Sequence, residues 1–214
     1  MALDFESLNL TEIIRLQNQL SALLARRFEK TLALAFSDVT GSTAYFARFG
    51  NEAGRRLQQR HVDLIVKSLE GSSGRIVDTV GDGVFLCFPQ VETAVEVLSG
   101  FQTLRLQENS HLPPEHHMTT RIGIHWGTVL TDRVIVTGDP VNLCAKFAAT
   151  GQPTEIRITK PAFLELTVQR RLRCQPIGPV KVAGANEPME MFAFSWADPV
   201  RFPIAVAIAE TGEQ

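Results

Sequence analysis

Apolar and polar positions divide the chain into three stretches. Over residues 9–30, Ile13, Leu16, Leu20 and Leu23 recur at alternating spacings of three and four, with Arg, Gln, Asn and Glu at most other positions. This spacing predicts a helix with an a/d seam of about two heptads, too short to be stable alone. Two uses fit it: an amphipathic helix lying on its own domain, or a dimerisation element at that domain's entrance. Strands and helices then alternate over residues 31–196. The apolar run 32–37 predicts a strand covered on both faces, and residues 44–69 carry a charged helical pattern with a break near Gly50. Runs 74–80 and 84–88 flank Gly81-Asp82-Gly83, a hairpin signal. A helix over 91–108, a strand over 119–124, a short helix over 140–150 and a strand over 155–159 follow. A closing hairpin pairs 180–182 with 189–194. Helix, hairpin, helix, strand after a first strand is an α/β (α+β) arrangement on the ferredoxin-like, split βαβ plan. No internal repeat is visible, and the tail over 197–214 has no clear period.

Composition narrows the function classes. The 214 residues suffice for one domain with a full core. Lys and Arg number 21 against 23 Asp and Glu, so no nucleic-acid or anionic-membrane partner is expected. The longest apolar runs, such as 203–209, are too short to cross a bilayer. The opening MALDFESLNL has acids where a signal peptide has Lys or Arg, and the expectation is a cytoplasmic protein. Cys87, Cys144 and Cys174 are odd in number without a CxxC spacing, so they read as buried or incidental thiols.

Three segments carry candidate chemistry. In FSDVTGST (36–43) an apolar strand ends in Asp38 and a small-residue turn enters a helix. Backbone N–H groups and the helix dipole favour a phosphate there, and Asp38 stands where a shared metal would sit. The same residues also make an ordinary N-cap. Asp82 at the hairpin tip is by itself a turn residue. If the two strands are sheet neighbours, though, both carboxylates converge on one edge, as two divalent cations and phosphoryl transfer require. In GDPVNLCAK (138–146), Pro140 fits a first helical turn, and Asn142 and Lys146 share one face. An amide beside a cation can orient a ribose and neutralise a phosphate; a solvated helix face is the alternative.

Together FSDVTGST (36–43), TVGDGVFLCF (79–88), RIGIHWGTV (121–129), GDPVNLCAKF (138–147) and GPVKVAGANEPMEMF (178–192) resemble the class III adenylate and guanylate cyclases over residues 31–196. The resemblance implies a stand-alone cyclase domain after an N-terminal helix (1–30). It implies two Mg²⁺ or Mn²⁺ ions held by Asp38, Asp82 and the Val39 carbonyl. Amides of Gly41, Ser42 and Thr43 would receive the triphosphate, with Tyr45, Phe46 and Arg48 following on the same helix. One ion would activate the ribose 3′-OH for in-line attack on the α-phosphorus, and the other would steady pyrophosphate. It further implies a homodimer with composite sites, Asn142 and Lys146 acting on the partner's metal pair.

Departures from the family pattern bear on rate and base. Lys146 stands where the family has an Arg and lacks the bidentate fork. Ala183 replaces a phosphate-binding Lys, for which Lys181, two residues earlier on a strand, is the substitute expected. Asp78 and Ile135 stand where adenylate cyclases have a Lys donor and an Asp acceptor. An ionised Asp78 repels adenine N1, and Ile135 cannot accept from the exocyclic amine. Asp78 accepts from guanine, uracil or cytosine N–H groups instead. A small cyclase with such a pocket resembles the pyrimidine cyclases of bacterial antiphage defence (Pycsar), which make cyclic UMP or cyclic CMP for a separate effector protein. The substrate order expected is UTP, CTP, then GTP, with Tyr45 and Arg48 as candidate partners of the uracil carbonyls. A degenerate regulatory nucleotide-binding module and a ferredoxin-like interaction domain are the alternatives from other classes.

Overall fold

The computed structural model describes residue 6, residues 8–132 and residues 134–197; the expected tail lies outside these beyond its first residue. Helix α1 (Leu10–Phe28) starts at a capping box, in which the Asn9 side chain accepts from the Glu12 N–H and the Glu12 carboxylate accepts from the Asn9 N–H. None of its residues is buried. Leu16 is half-covered, whereas Leu20 is 52% and Leu10 73% exposed. The helix therefore does not bury its seam on its own domain.

Strand β1 (Glu29–Val39) follows directly and leads into α2 (Ser42–Leu69), the hairpin β2 (Arg75–Val80) and β3 (Gly83–Phe88), α3 (Val91–Ser110) and β4 (Thr120–Thr131). The sheet order through these strands is β2-β3-β1-β4, which is the split βαβ order expected. Beyond them lie β5 (Val136–Thr137), α4 (Asp139–Ala148), β6 (Ile156–Thr159), the short helices α5 (Lys160–Leu164) and α6 (Val168–Arg171), β7 (Cys174–Val180) and β8 (Met189–Phe194). The sheet continues β4-β6-β8-β7, with β4 and β6 parallel and β5 paired to β4.

Helices cover both faces, so the middle of β1, from Leu32 to Phe36, is apolar without a break and its period of two disappears there from the sequence. Ala33 and Ala35 enter the core with Leu86, Ile122, Ile124, Leu98 and Phe101. Leu34 and Phe36 enter the opposite core with Phe85, Cys144, Phe147 and Met191. The break in α2 is at Gly50 (φ 82°), a left-handed conformation that glycine adopts without a Cβ penalty. Across that kink the Phe46 ring occupies the space a Cβ at Gly54 would need.

Two expectations are corrected. The strand near 119–124 runs on to Thr131 and reaches α4's entrance, because its second half still has β1 as a partner. The closing strand β7 ends at Val180 rather than beginning there, so Lys181 lies outside the ladder. Cys87 and Cys144 are buried, Cys174 is half-buried, and all three are free thiols.

Candidate active site

The site begins at one end of β1. The alternation that sends Ser37 beneath α2 turns its neighbour Asp38 to the other face. Ser37 pairs with Val84 of β3 and Asp38 with Arg121 of β4. Gly81 (φ 62°) makes the tight turn at the β2–β3 tip, which brings Asp82 back to the end of β1. Burial pushes the Asp38 carboxyl above its usual range and a bond from Arg121 opposes this; the charge of Asp82 and a side-chain contact with it push in the same direction as burial. The two acids therefore converge, as neighbouring strands require.

Arg121 was not singled out from the sequence, yet it is the cation at this pair. Its Nε and Nη2 donate to Asp38 Oδ2 at 2.9 and 2.7 Å, and its Nη1 donates to the Ala149 carbonyl at 2.9 Å. His61 of α2 was also not anticipated. It is wholly buried, lies 2.8 Å from Ser37 Oγ through Nε2 and 2.9 Å from the Asp82 carbonyl through Nδ1, and burial lowers its pKa to about 4. The only sequence sign of it was a His on the apolar face of a charged helix.

Gly41 (φ 77°) caps α2 without any side-chain hydrogen bond, and the first turn has no acid. The first helical bond runs from Tyr45 N–H to the Gly41 carbonyl. The amides of Ser42, Thr43 and Ala44 therefore lack a capping side chain and form an anion-receiving end a few residues along the chain from Asp38.

A hollow of about 790 Å³ opens beside the acids, lined by Asp38, Phe36, Asp78, Ile135, Val141 and Asn142 among others. Asp78 is exposed, and its Oδ1 accepts from the Thr79 N–H at 2.8 Å. Ile135 is presented by a turn in which Asp132 Oδ1 accepts from the N–H groups of Val134 and Ile135, both at 2.9 Å. Asn142 and Lys146 are both exposed on α4. Asn142 also lines a second groove, of about 540 Å³, with Lys146, Ala183 and Gly184. Lys146 Nζ lies 2.7 Å from where a Cβ on Gly184 would stand. Asp38 and Lys146 thus face different hollows of one chain.

Other candidates fall elsewhere. The Tyr45 hydroxyl bonds His116 Nδ1 at 2.9 Å, and the Arg48 guanidinium lies 4.8 Å over the Phe49 ring. Both line a separate hollow with Gly41 and Glu115, so one chain does not bring them to Asp78 and Ile135. Phe46 is a packing residue at the kink. Lys181 is exposed beyond β7, so strand alternation does not aim it at the place of the missing lysine.

The donor set suits a hard divalent cation: two carboxylates crowd one another at a half-buried end and leave negative charge unbalanced. Among the described residues no group of three or more His, Cys, Asp or Glu side chains could hold a metal. Further ligands would be backbone carbonyls such as that of Val39, phosphate oxygens and water. No helix among the described residues is long and apolar enough to cross a membrane.

Residues 25–195 match the model of the adenylate and guanylate cyclase catalytic domain. The putative adenylate cyclase 3 of Rhizobium meliloti is 22% identical over 175 residues, covering 82% of this chain and 30% of that protein. The chain spans between about a fifth and just over a third of the length of the curated relatives it matches. Among solved structures, the adenylate/guanylate cyclase/hydrolase from Silicibacter pomeroyi superposes with a TM-score of 0.67 at 23% identity, over 78% of this chain and 96% of that one. The guanylate cyclase domain of RhGC from Catenaria anguillulae, solved with GTP, gives 0.65 at 18% identity over 78% and 97%.

Proposed function

Because the chain belongs to the adenylate and guanylate cyclase catalytic-domain family, we propose that it closes a nucleoside triphosphate into a 3′,5′-cyclic monophosphate with release of pyrophosphate. The observation that carries this reading is the meeting of Asp38 and Asp82 at one sheet end, beside a helix start with no capping side chain. Asp38, Asp82 and the Val39 carbonyl would hold two Mg²⁺ or Mn²⁺ ions, which would supply a more acidic ribose 3′-OH and charge neutralisation at the leaving pyrophosphate. The Ser42, Thr43 and Ala44 amides bind the triphosphate, and Arg121, bonded to Asp38, adds positive charge at that strand end. Asn142 orients the ribose. Lys146 places positive charge on the transferred phosphate, as a point charge rather than a fork.

The working unit is a homodimer. Asp38 and Lys146 open on separate hollows, and a second copy that brings its α4 to the first copy's Asp38 completes the set. The unburied apolar seam of α1 favours the same state.

For the base, Asp78 and Ile135 share the Asp38 hollow. The Asp78 side chain accepts an N–H but repels the lone pair of adenine N1, and Ile135 has no acceptor for the adenine amine; an unpaired polar group there costs about 1–3 kcal/mol. UTP is the substrate this arrangement favours, then CTP, as in a cyclase that feeds a separate antiphage effector. The hollow of about 790 Å³ admits a purine too, which makes GTP the competing reading. Purified protein with Mn²⁺ and each of the four ribonucleotides, products resolved by mass, decides among them. A purine preference removes the pyrimidine reading and leaves the cyclase; no cyclic product from any nucleotide, while binding persists, makes the domain a regulatory module.

A further inference from the structure

Asp38 and Asp82 sit on different pieces of chain, one at a strand end and one at a hairpin tip, and their spacing must be held by something other than themselves. Beside Asp38, Ser37 points to the opposite face and meets His61 Nε2 at 2.8 Å. The other imidazole nitrogen, Nδ1, lies 2.9 Å from the carbonyl of Asp82. A carbonyl only accepts, so Nδ1 carries the proton and donates, and Nε2 accepts from the Ser37 hydroxyl. Both nitrogens are thereby satisfied inside a fully buried ring that also packs against Phe101 of α3. The hairpin ladder ends at Val80 opposite Gly83, so the tip itself lies outside the sheet register.

We infer that His61 is a positioning residue, a buried bridge that fixes the turn carrying Asp82 against the strand carrying Asp38 and so presets their separation for the metal pair. The inference rests on the two-metal reading above. Outer groups that orient metal ligands commonly contribute tenfold to a hundredfold in metal affinity, and His61 acts on both carriers at once without touching metal or substrate.

The test is Mn²⁺ alone, titrated into the full chain with the free ion measured by electron paramagnetic resonance. His61→Leu should weaken Mn²⁺ binding by about tenfold to a hundredfold. His61→Asn, nearly the same shape, restores an N–H where Nδ1 stood and should recover most of the loss. Ser37→Ala should cost less, and should add little on top of His61→Leu. Equal losses in His61→Leu and His61→Asn would show packing rather than the hydrogen bond at work and overturn the inference, as would wild-type affinity in both. If His61→Leu does not fold, Ser37→Ala carries the test, and an unchanged affinity there overturns it. Mn²⁺ binding that survives Asp38→Ala overturns the two-metal reading itself, and this inference with it.

Discussion

Helix α4 sits as close to β4 as it does because two β4 residues lack side chains, and Gly123→Ala tests what that closeness is for. A Cβ at Gly123 would stand 2.6 Å from the Ala148 Cβ, 2.7 Å from its Cα and 2.9 Å from the Phe147 ring. Carbon atoms prefer about 3.5–4.0 Å, so the helix must retreat by roughly 1 Å. Two of the three neighbours belong to the α4 backbone or to a Cβ, and neither can rotate away. Overpacking of this kind costs about 1–3 kcal/mol, offset by about 0.4–1 kcal/mol from the stiffer unfolded chain. For a domain of this size that amounts to a fall in melting temperature of up to roughly 10 °C. The functional loss should be larger in proportion. Asn142 and Lys146 ride on α4, and a displacement of about 1 Å can cost on the order of a hundredfold in rate. Thermal unfolding, Mn²⁺ affinity and turnover measured together make the check. Expected are a modestly destabilised protein, normal Mn²⁺ binding at Asp38 and Asp82, and turnover down about a hundredfold. Wild-type turnover in a protein of lowered stability would refute the claim that the α4 spacing sets the geometry of Asn142 and Lys146.

Four further outcomes are expected. Inactive Asp38→Ala and inactive Asn142→Ala chains, mixed under conditions where subunits exchange, should regain activity, since one site of the mixed dimer is intact; a dead mixture rules out composite sites. Lys146→Arg should keep or raise turnover, and a severe loss would mean that the groove beside Gly184 is shaped around the ammonium. Asp78→Asn should lower UTP or CTP turnover and raise relative use of ATP by about tenfold or more, the effect of one buried hydrogen bond; unchanged ratios among the four nucleotides would remove Asp78 from the base pocket. Burial lowers the pKa of His125, bonded to Thr159 Oγ1, from 6.5 to about 4. The unfolded chain therefore binds the extra proton first, and stability present above pH 6.5 is lost as pH falls toward 4, by roughly 3 kcal/mol. Thermal unfolding across that window should flatten in His125→Gln, and an identical slope in both proteins would contradict it.

Much of this was written locally. The 3.6-residue periods of α2 and α3, the glycine break at Gly50 and the Gly-Asp-Gly tip are consequences of short-range sterics, and they stand where the pattern put them. The order strand, helix, hairpin, helix, strand was sufficient for the split βαβ sheet, since few chain paths accommodate it. Asp38 and Asp82 could be paired on paper because that plan makes β1 and β3 neighbours. What lay beyond the sequence depends on contacts between distant residues. The strand ends at Thr131 and Val180 were decided by which partner strand was still alongside, not by residue type. Arg121 met Asp38 across a ladder register, 83 positions apart. His61 met Ser37 and Asp82 through a helix crossing the sheet. Tyr45 and Arg48, which one helix places near Asp38 in sequence, turned instead to His116 and Phe49, because a helix has more than one face and only packing selects which one looks into the site.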